Sequence, residues 1–322
     1  MALQPTAEIL SFWSTQGKVT EPGEKGSAAI DALDSSIPAL REAASKLIFH
    51  YRANSDAKFI QENVPLERRS EIDTRTASAM FDILLDRQPG LQSPRAPVNR
   101  IVGCCRDATV LFVSMARQKG IPARCRSGFA AYLIPGVFMD HVIAEVWNVE
   151  SQSWIIVDPQ MPSEWKPQCN GVPVDWNNLT PDQFITAPRA WLGLKNGSLP
   201  IENLLKFCVG PDLNIPSLEG WPQIAHNVIQ DLAMLNKQEM LLWDSWDDLE
   251  FRGESMDIRE LSEKDNGVID EVSEAIVDVD KDSGVSFRVL AGRDGLKVTN
   301  VVFSMNVLSG VPRHVDVSHL LG

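Results

Sequence analysis

A thiol turns into a nucleophile at neutral pH when its surroundings favour the thiolate, and one cysteine in this chain is placed for that. Downstream of Cys105, residues Ala108, Leu111, Phe112, Met115 and Ala116 form an apolar stripe at helical spacing, which predicts a helix starting at or near Cys105. A helix N-terminus offers unpaired N–H groups and partial positive charge, and both lower a thiol pKa. Gly120 stands where a left-handed C′ residue is wanted, and Pro122 prevents continuation. A nucleophile of this kind needs a general base that later protonates the leaving group. His141 leads the alternating run Val142, Ala144, Val146, which reads as a strand. The polar tip Glu150-Ser151-Gln152-Ser153 turns the chain, and the short apolar return Trp154–Val157 ends at Asp158. Antiparallel strands joined by a short turn bring their far ends together, so His141 and Asp158 are expected to be neighbours. A carboxylate there orients the imidazole and supports its charged form. One requirement is left: the helix N-terminus must pack beside the open end of the hairpin.

The elements that would position these groups are partly visible. Residues 1–90 read as helical, with one amphipathic helix from Ile37 to Tyr51 on Leu40, Ala43, Ala44, Leu47 and Ile48, and another from Thr76 to Arg87 on Met80, Ile83 and Leu84. Thr180-Pro181-Asp182-Gln183 carries a capping-box signature for a helix start, and a further helix is expected from Trp221 to about Lys237. The run 243–266 is acidic and polar, a candidate linker in which 257–264 (DIRELSEK) has room for a short helix. Beyond it Val285, Phe287, Val289, Val298, Val301 and Phe303 alternate between turn signals, predicting a small β-rich piece. The organisation expected is a helical region over 1–90, a core with flanking helices over 91–246, an acidic linker over 247–270 and a β-rich region over 271–322.

Composition narrows the function classes. Apolar residues at 44% and charged residues at 23% suit a globular chain with a sizeable core. A formal net charge of −13, with no basic run, argues against nucleic-acid binding and against adhesion to an anionic membrane. The start MALQPTAEILSFW has neither a basic n-region nor a long apolar h-region, no run approaches the ~20 residues of a membrane span, and five cysteines are few and odd in number. A cytoplasmic protein without a disulfide framework is the expectation. Cys125, Cys169 and Cys208 read as small buried hydrophobes, and Cys104 as a bystander. Adjacent cysteines lack zinc-site spacing, so no metal is expected at the Cys104-Cys105 pair and His141. His50, His226, His314 and His319 read as structural or exposed, Arg106 as a surface or ion-pairing residue, and Trp243 and Trp246 as core rather than pocket wall.

The motifs together resemble the transglutaminase-like (transglutaminase core) superfamily. The carriers are Gly103-Cys104-Cys105-Arg106-Asp107, Gly120-Ile121-Pro122-Ala123-Arg124, the Asp140-His141 strand entry and Trp154…Asp158-Pro159. The flanks Cys125-Arg126-Ser127-Gly128-Phe129-Ala130 and Asp231-Leu232-Ala233-Met234-Leu235-Asn236-Lys237, with Trp243-Asp244-Ser245-Trp246, are similar to a narrower microbial branch. The resemblance implies an α+β fold with a papain-like core, in which a Cys-bearing helix packs on an antiparallel sheet. It also implies a catalytic triad of Cys105, His141 and Asp158. Such a triad transfers an acyl group through a thioester, from an amide or ester of a peptide-like, small-molecule or carrier-bound substrate, to water or to an amine. No cofactor is called for. Two departures stand out: a second thiol at Cys104, and Ile143 where many members carry Trp. Two other readings stay open, a binding or assembly protein with a vestigial site and thiol redox chemistry at Cys104-Cys105.

Overall fold

A computed structural model describes residues 5–52, 64–249, 259–280 and 284–321. The helices are α1 (Ala7–Ser14), α2 (Gly23–Asp31), α3 (Ile37–Ala44), α4 (Ala77–Arg87), α5 (Cys105–Gln118), α6 (Ala187–Asn196), α7 (Gly220–Leu235), α8 (Glu263–Ile276) and α9 (Val285–Ala291). The central sheet contains β3 (Ala123–Ala130), β4 (Phe138–Asn148), β5 (Ser153–Val157) and β8 (Phe184–Thr186), in the order β5-β4-β3-β8, with antiparallel pairs. Strand β9 (Phe207–Cys208) adds a parallel pairing at the start of β4. Among the described residues three smaller sheets accompany it: parallel β1 (Ile48–His50) with β2 (Ile101–Gly103), the β6 (Gln168–Cys169) and β7 (Val172–Pro173) ribbon, and antiparallel β10 (Asp244–Ser245), β11 (Val301–Met305) and β12 (Pro312–Asp316). Mixed helices around an antiparallel sheet make this the α+β arrangement expected.

Helix α5 is the hub. Every residue from Cys105 to Arg117 is buried, as a helix must be when it packs against protein on all sides. Gly120 follows in the left-handed region at φ +74°, which ends the helix as Gly at C′ does. The layer between β3 and α7 is ionic. Arg126 reaches Asp231 through Nη2 at 2.8 Å and Glu145 through Nη1 at 3.0 Å, and the Ser127 N–H donates to Asp231 at 2.9 Å. Burial works against ionising Glu145, yet Arg126 and Arg124 bring its carboxyl down to about 2. These contacts account for the 125–130 and 231–237 segments, which clamp α7 across the sheet. Among the described residues no helix is long and apolar enough to cross a membrane.

Four local expectations are corrected. The helix expected over Ile37–Tyr51 ends at Ala44, and Ile48–His50 becomes strand β1, in register with Ile101–Gly103. Half of the Thr180–Gln183 box forms, with Thr180 N donating to Gln183 Oε1 at 3.0 Å, while the Gln183 N–H goes to the Thr180 carbonyl. It makes one turn and then enters β8, so α6 starts at Ala187, with Pro188 in its first turn. The expected linker contains the start of α8, capped by Ser262; its residues 250–258 lie outside the described residues. The β-rich reading of 271–322 fails at α8 and α9. In α9, Phe287, Leu290 and Ala291 are buried while Val285 and Val289 are 59% and 68% exposed, so the helical period orders that segment. Strands form at β11 and β12 alone in that region, among the described residues.

Candidate active site

The open end of the β4–β5 hairpin holds His141 and Asp158. Register pairs Ala144 with Val157, so Asp158, one residue past β5, falls beside the residues just before Ala144. His141 does not open its strand: β4 begins at Phe138. His141 Nε2 lies 2.8 Å from Asp158 Oδ2. The same oxygen accepts from Tyr132 Oη at 2.5 Å, and Oδ1 accepts from the Gln160 N–H at 2.9 Å. Arg41, on α3, holds this corner from behind. Its Nε donates to Asp158 O at 3.1 Å, its Nη1 to Ser163 Oγ at 2.6 Å and its Nη2 to Met161 O.

Helix α5 brings the thiol. One turn into the helix, Thr109 Oγ1 donates to Val142 O at 3.0 Å, tying the first turn to the strand that carries His141. This satisfies the packing that the hairpin required. With Nε2 turned to Asp158, Nδ1 is the ring nitrogen left for Cys105, and the two groups lie close enough to shift each other's pKa. The helix start is closed by Asp107, whose Oδ2 accepts from the Cys104 N–H at 2.8 Å. Arg106 is fully buried, which corrects the surface expectation. It pairs with Asp107 Oδ1 at 2.9 Å and donates from Nε to Glu239 O at 3.0 Å, so it builds the helix start rather than meeting a substrate.

Gly103 makes that start fit. A Cβ at this position would stand 2.5 Å from Asp107 Oδ2. Gly103→Ala is therefore expected to push the carboxylate off the Cys104 N–H, lower stability by about 1–2 kcal/mol, as loss of a helix cap does, and slow alkylation of Cys105 at neutral pH. Denaturant unfolding measures the first effect, and an unchanged midpoint would refute the steric account.

The electrostatics favour an ion pair. A hydrogen bond from the Cys104 thiol, and then the His141 hydrogen bond and charge, hold the Cys105 thiol well below its ordinary value against the opposing effect of burial. Cys104 moves the other way, well up, and stays a protonated donor. Burial would lower His141, but the Asp158 carboxylate and the Cys105 thiolate raise it to about 10. Asp158 itself is lowered, with His141, Tyr132 and the Gln160 N–H outweighing burial.

The group sits at the floor of a cleft of about 760 Å³ whose lining includes Phe49, His50, Cys105, Met139, His141 and Trp165. That volume suits a small molecule or a short peptide segment. Cys105 is 4% exposed and His141 2%, so only a group inserted into the cleft reaches them. Asp140 lines the same cleft, with Oδ1 accepting from Asn227 Nδ2 at 2.7 Å, and burial and the Cys105 thiolate raise it to about 7. Among the described residues no three His, Cys, Asp or Glu side chains gather as a metal site. Residues 61–159 match the family model of the transglutaminase-like superfamily, a span that contains Cys105, His141 and Asp158. That segment is similar to a transglutaminase-like core. The match supports a cysteine-type enzyme in general. A solved structure from Cytophaga hutchinsonii, a candidate cysteine protease, is similar to the chain at 13% identity and a TM-score of 0.31. The similarity covers 57% of this chain and 50% of that one, so the chain spans about half the length of that structure. No curated protein sequence matches it.

Of the residues singled out from sequence, Trp243 and Trp246 stand away from the cleft lining. Trp243 packs edge-on to Tyr51, and Trp246 Nε1 donates to Leu296 O at 3.0 Å. His226 Nε2 meets Leu242 O at 2.8 Å. The site also takes in residues that the motifs do not mark: Arg41 and Tyr132 at Asp158, and His50 in the cleft lining.

Proposed function

We propose that the protein is a cysteine-dependent acyl-transfer enzyme acting on an amide or ester of a peptide-like or small-molecule substrate. The observation that carries this reading is that Cys105 and His141 line one cleft, with His141 Nε2 2.8 Å from the carboxylate of the buried Asp158. In the step this geometry supports, the Cys105 thiolate adds to the carbonyl carbon and the carbonyl π pair moves to oxygen. On collapse, the C–N or C–O bond breaks and His141 gives its proton to the leaving amine or alcohol. The thioester is then resolved by water or by an amine whose proton His141 takes. Asp158 keeps the imidazole aligned throughout.

The test is direct acylation. Wild type incubated with p-nitrophenyl acetate should gain one acetyl on Cys105 by intact-mass and peptide analysis, and Cys105→Ala should gain none there. Added hydroxylamine or a primary amine then shows whether the thioester is partitioned to amines faster than to water. If Cys105 is not acylated and the thiol alkylates no faster than a free cysteine, the vestigial binding-protein reading replaces this one.

A further inference from the structure

A tetrahedral intermediate carries a full negative charge on the former carbonyl oxygen, and a site that stabilises it needs donors preset at that point. The Cys105 N–H, at the first position of α5, is one such donor, because the first N–H groups of a helix have no intrahelical acceptor. A second donor has to come from another element facing the thiol. Of the polar groups near the cleft floor, several are committed elsewhere. Tyr132 Oη and the Gln160 N–H are bonded to Asp158. Arg52 is held by Val209 O at 3.0 Å and by Asp212 at 3.2 Å.

His50 is different. It ends β1 and pairs in parallel register with Gly103, two residues before Cys105, so its backbone runs alongside the junction from which the nucleophile emerges. Its ring lines the cleft together with Cys105 and His141 and lies flat against Tyr51, with centroids 5.2 Å apart and planes 12° apart. Its Nδ1 accepts from the Arg52 N–H at 3.1 Å. That bond leaves Nδ1 without a proton, so a neutral His50 carries its proton on Nε2. Among the described residues no hydrogen bond holds Nε2.

Resting on the acyl-transfer reading above, we infer that the Nε2–H of His50 is the second oxyanion donor, acting beside the Cys105 N–H on the oxygen formed when the thiolate adds to the acyl carbonyl. His50 neither gains nor loses a proton in this role. The groups whose charges reach it keep it neutral at working pH. Burial lowers it to about 4, His141 and Arg52 act in the same direction, and the Cys105 thiolate opposes them. His50 is thus unprotonated at neutral pH, and a neutral imidazole can donate without taking the proton that His141 must deliver.

Two probes separate this role from any other. Alkylation of Cys105 by iodoacetamide is a displacement at carbon and forms no oxyanion; acylation by p-nitrophenyl acetate forms one. For His50→Ala the single-turnover acylation rate is expected to fall about 100-fold or more, in line with removal of one oxyanion donor. The alkylation rate and its pH profile should stay within roughly 3-fold of wild type. His50→Gln, whose carboxamide offers an N–H, should recover part of the acylation rate, and it also guards against misfolding of the alanine variant. Acylation of both variants at the wild-type rate would overturn the assignment. So would an equal fall in both probes, which would mean that His50 acts on the thiolate or on the fold. Wild type that alkylates readily at Cys105 but never acylates would sink the acyl-transfer reading, and this inference with it.

Discussion

Replacing His141 with alanine is expected to slow Cys105 acylation by roughly 10²–10⁴-fold, the range for loss of a general acid–base group, and to raise the pH at which the thiol becomes reactive. In the wild-type site the thiolate is favoured first by the Cys104 hydrogen bond and then by His141. His141, held at about 10, stays an imidazolium across neutral pH. The thiolate–imidazolium pair therefore spans the interval from the lowered Cys105 value up to about 10, and iodoacetamide alkylation should be nearly flat across it. His141→Ala removes the cation but leaves the Cys104 donor. The alkylation midpoint should move up toward the ~8.5 of an ordinary thiol without fully reaching it, while Cys104→Ala should move it up as well. The measurement is alkylation rate against pH with the modified residue mapped by mass spectrometry. A Cys105 profile that is the same in wild type and His141→Ala would contradict the pairing of the two groups. A Cys104→Ala profile that does not move would return Cys104 to the bystander role read from sequence.

The parts of this site that sequence displays are those whose signals are local. Helix α5 was legible because its apolar stripe, its Gly120 exit and Pro122 lie within one continuous run, and the hairpin because its turn is short and its strands alternate. The neighbouring of His141 and Asp158 followed from those two facts. What stayed hidden is tertiary. Leu47 and Ile48 continue the stripe of Leu40 and Ala44, and no Gly or Pro marks the break at Ala44, so β1 was indistinguishable from more helix. His50 consequently appeared to be on a helix face when it faces the cleft. Tyr132 belongs to no regular element, and Arg41 acts on residues more than a hundred positions away; neither relation leaves a pattern in the sequence. In α9, a run of alternate valines around Phe287 fits either period, and only packing reveals that Leu290 and Ala291, not Val289, face the core.

Asp158 couples the chemistry of the site to the stability of the fold, and its replacement should show both. The carboxylate is fully buried and accepts from His141, Tyr132 and the Gln160 N–H. Asp158→Ala leaves an imidazolium, a phenol and an amide without their acceptor, and loss of one partner of a buried pair costs about 3–5 kcal/mol. The size of that loss should depend on pH. Asp158 is lowered in the folded state, so its contribution is present above its unfolded value and disappears as pH falls through the folded one. His141 is raised to about 10, so its contribution is complete below the ~6.5 of an unfolded histidine and is lost as pH rises through 10. Both are in force near pH 5.5, whereas the His141 part is largely spent by pH 9.5. Denaturant unfolding should therefore show a larger deficit for Asp158→Ala at pH 5.5 than at pH 9.5. Asp158→Asn separates the two roles. Its single carbonyl oxygen can still accept from Tyr132 or from the Gln160 N–H, which bond to different oxygens of the carboxylate, so its deficit should be smaller than that of alanine, yet without the negative charge the imidazolium is no longer favoured. The Cys105 thiolate then loses its counter-charge, and the alkylation midpoint should rise as it does in His141→Ala. Equal deficits at the two pH values would show that Asp158 serves the fold through its hydrogen bonds alone, and an unmoved midpoint in Asp158→Asn would show that its charge does not reach the thiol through His141.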